Sequence, residues 1–150
     1  MKLTTSSLMD GLDVGFGYGE IANANQNTVN GTSDTDQHMV AYATYAMGGV
    51  TVGYTEAVIS KNTAGGTSEE AQGWSIAANV MDGLSVSYGE REVEYQKASA
   101  AHVTEDMEGI AIAYTMGSAK IILQNNETSN NGGTAGTNDE NTEIALSLSF

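Results

Sequence analysis

Three runs of this sequence carry side chains at a spacing that chemistry can use. Asp34, Asp36 and His38 alternate, and alternate residues of a strand share a face, so they would offer two carboxylates and an imidazole to one divalent cation. A solvated loop entering a strand accounts for the same three residues, and is the plainer reading. Glu90, Glu92 and Glu94 likewise share a face, with Arg91 on the other. Carboxylates at a pore mouth attract cations and repel anions, but the pattern equally suits a strand end standing above a membrane. The third run, Gly132 to Glu140, has the Gly, Asn and Asp content of a calcium-binding repeat without its register or repetition, and reads as a loop. No catalytic residue emerges. His102 lies in a long polar stretch, there is no Cys, and no Ser stands in a nucleophile elbow. The sequence therefore points away from an enzyme, and names no cofactor and no metal site.

The elements that would position these residues are set by a repeat. One turn motif occurs four times, as MDGLDVGFGYGE from Met9, MGGVTVGYTE from Met47, MDGLSVSYGE from Met81 and MGSAKIILQNNE from Met116. In each a Met precedes Asp-Gly, Gly-Gly or Gly-Ser, the chemistry of a tight hairpin whose residues take positive φ. Between the turns lie the polar stretches Asn23 to Gln37, Ser60 to Glu70, Tyr95 to Glu105 and Asn126 to Asn141, which read as long loops. The strands left over are Leu12 to Ala22, His38 to Met47, Val50 to Ile59, Ala71 to Val80, Leu84 to Glu94, Asp106 to Met116, Ala119 to Gln124 and Thr142 to Phe150. Residues 1–10 form a lead-in, with Leu3 to Leu8 as the remnant of a preceding strand. The expectation is one domain over 1–150: an all-β, antiparallel, up-and-down transmembrane β-barrel wall of about eight strands.

After each turn, apolar residues at alternate positions give way to Tyr and then to a carboxylate, as in Leu12, Val14, Phe16, Tyr18, Glu20. Tyr18, Tyr54 and Tyr88 are thereby placed at the headgroup level of a bilayer and the carboxylates beyond it. From Leu12 to Tyr18 the strand rises about 15 Å at ~3.3 Å per residue and a tilt near 40°, short of the ~25 Å apolar band of such barrels. By this assignment Glu90, Glu92 and Glu94 face outward, and a lumen role for them would need a bulge. The opposite face holds small residues, Gly15, Gly17, Gly19, Gly53, Ser85 and Ser87 among them, with Asp13, Arg91 and Lys120 as candidate pore-facing charges. Eight strands enclose a space that side chains fill, and these are too small to fill it, so the wall suits a wider, wet barrel.

Composition agrees. In 150 residues there are 18 Gly, no Pro, 2 Phe and 1 Trp, too little bulk for an ordinary soluble core. A net charge of −14 disfavours nucleic acid and favours cations. No run approaches the ~20 apolar residues of a membrane helix, and MKLTTSSLM is no secretory signal, so spanning falls to strands and any export signal lies outside this sequence. The final stretch, TEIALSLSF, alternates without a break and ends on an aromatic residue.

The MDGL and MGGV turns, the VxVGYxE strands, the Asn- and Thr-rich loops and the IALSLSF ending together resemble a Gram-negative general bacterial porin of the alphaproteobacterial kind. That resemblance implies a sixteen-stranded barrel, of which this chain would supply the C-terminal half. It implies a homotrimer in the bacterial outer membrane, surrounded by outer-membrane lipid, that passes small hydrophilic solutes and ions by diffusion. It also implies that Phe150, Leu148, Leu146 and Ile144 are the signal read by the outer-membrane assembly machinery. Two other readings fit the residues: a complete eight-stranded barrel serving as a structural or adhesive anchor, and a soluble, acidic, secreted β-protein.

Overall fold

The computed structural model describes residues 2–5, 8–22, 35–62, 65–97 and 100–149. They form one antiparallel sheet of nine strands, each paired with its neighbours in sequence: β1 (Lys2–Thr5), β2 (Leu12–Ala22), β3 (Thr35–Met47), β4 (Val50–Ser60), β5 (Thr67–Met81), β6 (Leu84–Lys97), β7 (Val103–Met116), β8 (Ala119–Ser129) and β9 (Asp139–Leu148). The four Met-led turns are all present, with Gly11, Gly48, Gly83 and Gly117 at φ of +78°, +61°, +73° and +60°. Each turn is also bonded sideways. The carbonyls of Gly11, Gly49, Gly83 and Ser118 accept the backbone N–H of Ala46, Asn79, Thr115 and Ser149, so the repeat in sequence becomes a repeat in hydrogen bonding. In the lead-in, β1 pairs Leu3 with Phe16 and ends at Thr5, so it overlaps the expected remnant, Leu3 to Leu8, only over residues 3–5.

β2 has the boundaries expected of it, but most other strands run further toward the long-loop end. β3 begins at Thr35, β5 at Thr67, β7 at Val103 and β9 at Asp139, while β8 continues to Ser129. Beyond the apolar band both faces are wet, so hydrophobic alternation stops there while the backbone ladder continues. Phe150 lies outside the described residues, as do Asp34 and the rest of the β2–β3 loop, 23–34.

The pairing register gives the tilt. Leu12, just after the first turn, is level through Tyr45, Val52, Ile76, Tyr88 and Ile110 with Asn125, six residues beyond Ala119, which just follows the fourth turn. Six residues over six strand steps, at ~3.3 Å rise and ~4.8 Å spacing, is a tilt of about 35°, the value of transmembrane barrels. A bulge at Val80, between the pairs Asn79–Ser85 and Met81–Leu84, is the irregularity among the described pairings.

The two faces differ in the way the alternation predicts. The buried strand residues, Gly15, Asp36, Ala71, Val93 and Glu105, all lie on the face of Asp13, which is therefore the concave one. The other face carries the exposed apolar side chains, such as Phe16, Val52, Ile76, Ile112, Leu123 and Leu146. No large side chain is fully buried among the described residues, so this is a wall without a packed core. The sheet is not closed: β1 and β9 are its two edges.

Candidate functional site

The concave face is where the sheet can do something for a solute. Its middle is lined by Gly73, Ser75, Ser87, Gly89, Gly109 and Ala111, a floor of small residues on three adjacent strands. Arg91 rises beside it, exposed, and a Cβ at Gly73 would stand 3.4 Å from the Arg91 Cβ. Lys120 is also exposed on this face, level with Thr115 and Ser147 near the short-turn end. Asp13 accepts a hydrogen bond from Tyr42 Oη at 3.2 Å. That ring lies flat because Gly15 is under it, where a Cβ would come within 2.2 Å of Tyr42 Cε1. All three candidate pore-facing residues thus share the concave face, on β2, β6 and β8.

Of the carboxylate–imidazole trio, Asp36 and His38 lie among the described residues. Asp36 is buried and holds Lys61 Nζ at 2.7 Å, with Asn62 N–H donating to its other oxygen at 3.3 Å. His38 Nε2 is covered and has no hydrogen-bond partner among the described residues. Asp36 is therefore committed to a cation of the chain's own, and Asp34 lies outside the described residues. No group of three metal-ligating side chains occurs among the described residues.

Glu90, Glu92 and Glu94 stand on the convex face, and the register of β6 with β5 and β7 is unbroken through all three. No bulge turns any of the three to the concave face. Glu90 lies side by side with Glu108, Glu127 and Glu140 across four strands. Ten of the nineteen acidic residues face outward in this way, and none of the four basic residues whose side chains are described does. The −14 charge is thus largely an outer-surface property.

The aromatic border of the apolar band is tied to that acidic row. Tyr18 Oη donates to Glu20 at 2.5 Å, and Tyr88 Oη is shared between Glu90 at 2.6 Å and Glu108 at 3.0 Å. Trp74, which the repeat did not flag, belongs to the same border. Its Nε1 donates to Glu90 at 3.1 Å, and its ring is 5.6 Å from that of Tyr88. Tyr54 is level with Trp74. A second aromatic pair was also missed: Tyr45 and Tyr114, on the convex face, lie over Gly11 and Gly83 at the short-turn end. Their signal was the repeated Tyr-x-Met-Gly before two of the turns. On β3 the apolar run from Met39 to Met47 spans eight steps, about 22 Å at ~3.3 Å per residue and the 35° tilt, which removes most of the shortfall found on β2.

A staggered, tilted, up-and-down sheet with a girdled apolar convex face and a small polar concave face defines the class: this chain has the fold of an outer-membrane β-barrel wall. No family model matches the sequence, and no curated protein does. Among solved structures it is similar to the outer-membrane expressed OmpT of Vibrio cholerae, at 17% identity and a TM-score of 0.72, covering 98% of this chain and 54% of that one. The chain thus spans about half the length of that protein.

Proposed function

We propose that this chain is part of the wall of an outer-membrane diffusion channel of the general porin type, through which small hydrophilic solutes and ions pass in water. The observation that carries this reading is the concave face, where Gly73, Ser75, Ser87, Gly89, Gly109 and Ala111 leave open space that larger side chains would fill in a narrow barrel. The open sheet favours it over an eight-stranded anchor. β1 and β9 run in the same direction, so antiparallel closure takes an odd number of further strands, and nine cannot close on themselves. A band of exposed Ile, Leu, Val and Met on the convex face weighs against a soluble secreted protein, because it would stand in water. The outer membrane is the location this reading gives, and a homotrimer is the assembly that the porin resemblance adds.

The test is conductance across a planar bilayer by the protein isolated from outer membranes. Stepwise current is expected; a membrane that stays silent while the protein keeps its strand circular dichroism would remove the channel reading. In a salt gradient the reading gives weak cation preference: Asp13, Asp139 and Glu143 share the concave face with Arg91 and Lys120, so the two signs nearly offset there, and most of the acidity lies outside the lumen.

A further inference from the structure

The β8–β9 connection does not stand up from the barrel mouth but folds back over the concave face. Asn130, at φ +54° and ψ +40°, turns the chain, and its side chain holds both sides of the bend. Nδ2 donates to the Thr104 carbonyl at 2.8 Å, and Oδ1 accepts the Gly136 N–H at 2.9 Å. A single 3-10 turn, Asn131–Gly133, then meets the wall. Gly132 N–H donates to one oxygen of Glu105 at 3.2 Å, and Tyr95 Oη donates to the other at 2.8 Å. Lys97 Nζ donates to the Gly133 carbonyl at 2.8 Å. Gly133 is buried against the Tyr95 ring, with no room for a side chain: a Cβ would lie 2.6 Å from Tyr95 Cγ. Both ends of the contact are specified, the buried Glu105 carboxylate by two donors and the loop backbone by Lys97.

We propose that this loop is a fixed strap on the lumen wall, latched by Tyr95, Glu105 and Lys97, that narrows the channel at its long-loop end and takes the Glu105 and Lys97 charges out of the water path. It rests on the channel reading above. The loop brings only Asn, Gly, Thr and Ala between Asn130 and Asn138, so it replaces two charges on the wall with a neutral polar surface. Arg91, lower on the same strand as Tyr95, is left as the exposed charge beneath the strap.

Geometry supplies a test that reads docking and conduction separately. A Cβ at Gly133 would lie 3.1 Å from that of Tyr95, a few tenths of an ångström short of the ~3.5–4.5 Å of disulfides, a gap that a small shift of the loop closes, and the chain has no cysteine of its own. The double variant Tyr95→Cys, Gly133→Cys of the whole protein should form this bridge on mild oxidation. Oxidised, it should conduct as the wild type does; reduced, it should conduct more, and so should Lys97→Ala, which leaves the strand pairing intact. Glu105→Ala should both raise conductance and shift the reversal potential. Failure of the bridge to form in folded protein overturns the strap, and so does a conductance that neither reduction nor Lys97→Ala changes. A silent wild type removes the narrowing together with the channel, while bridge formation still decides whether the loop is docked.

Discussion

Trp74 is the single tryptophan of the chain and stands at the border between the apolar band and the acidic row, which makes it a natural depth gauge. Its ring is half in oil, and its N–H is held by Glu90. In lipid vesicles its emission should be quenched most by bromines placed near the headgroup end of the acyl chains; strongest quenching at the bilayer centre would displace the whole band. Glu90→Ala should move that emission, whereas Glu92→Ala, whose carboxylate accepts Gln72 Nε2 instead, should not. Tyr95 lies beyond the band. Burial, and then the hydrogen bond to Glu105, push its hydroxyl up from the ordinary value near 10 to about 12. A raised value means that the native state holds the proton more tightly, so the latch is intact below pH 10 and is lost as pH rises from there through about 12. Ultraviolet titration of tyrosinate, followed alongside proteolysis of the loop, should show the two changing together; a loop cut equally at pH 8 and pH 11 would contradict the latch. At the far end of the chain, Phe150→Ala should slow insertion by the assembly machinery if Phe150, Leu148, Leu146 and Ile144 form its signal, and pulse-labelled insertion measures this.

The turns test the element scale. Gly11 and Gly83 share a positive φ with Gly48 and Gly117, but only the first two also press on a neighbouring strand: a Cβ would lie 2.2 Å from the Ala46 carbonyl oxygen and 2.4 Å from that of Thr115. Nothing lies within 4 Å of the same position at Gly48 or Gly117. Strain from φ alone costs about 1 kcal/mol, and a clash with a backbone carbonyl, which cannot swing aside as a flexible side chain does, adds to it. Gly83→Ala should therefore lower stability by about 2–3 kcal/mol and Gly117→Ala by about 1 kcal/mol, measured by urea unfolding in detergent micelles. Equal losses would mean that the Thr115 carbonyl gives way to the added Cβ without cost.

For the whole molecule, the proposed channel makes the division of charge between the faces the feature that sets selectivity. Outward carboxylates at Glu90, Glu108 and Glu127 are separated from the concave face by the sheet, whereas Arg91 stands on it. Field within a water-filled pore comes chiefly from the groups that line it. The triple variant Glu90→Gln, Glu108→Gln, Glu127→Gln should leave the reversal potential in a salt gradient where it was, and Arg91→Gln should move it toward cations. A large shift from the triple variant would mean that the convex face borders the conduction path.

The sequence by itself determined the period, the turns and the faces. Alternation in Leu12 to Glu20 and the four Met-led turns depend on neighbours a few residues apart, and the strict order of short turns and long loops then leaves few ways to pair the strands. Asp13, Arg91 and Lys120 could be assigned to one face for the same reason. The ends of the strands were not legible, because Thr104, Glu127 and Glu140 pair through backbone atoms that no side-chain pattern records. Nor were contacts between residues distant in the chain: Asp36 with Lys61, Trp74 with Glu90, and Gly133 with Tyr95 depend on register and on how the β8–β9 loop bends. That loop, read as a solvated connection, comes to lie on the concave face only in three dimensions. Its Asn, Gly and Thr residues make no pattern of their own, and what holds them is a carboxylate, a phenol and an ammonium on two other strands.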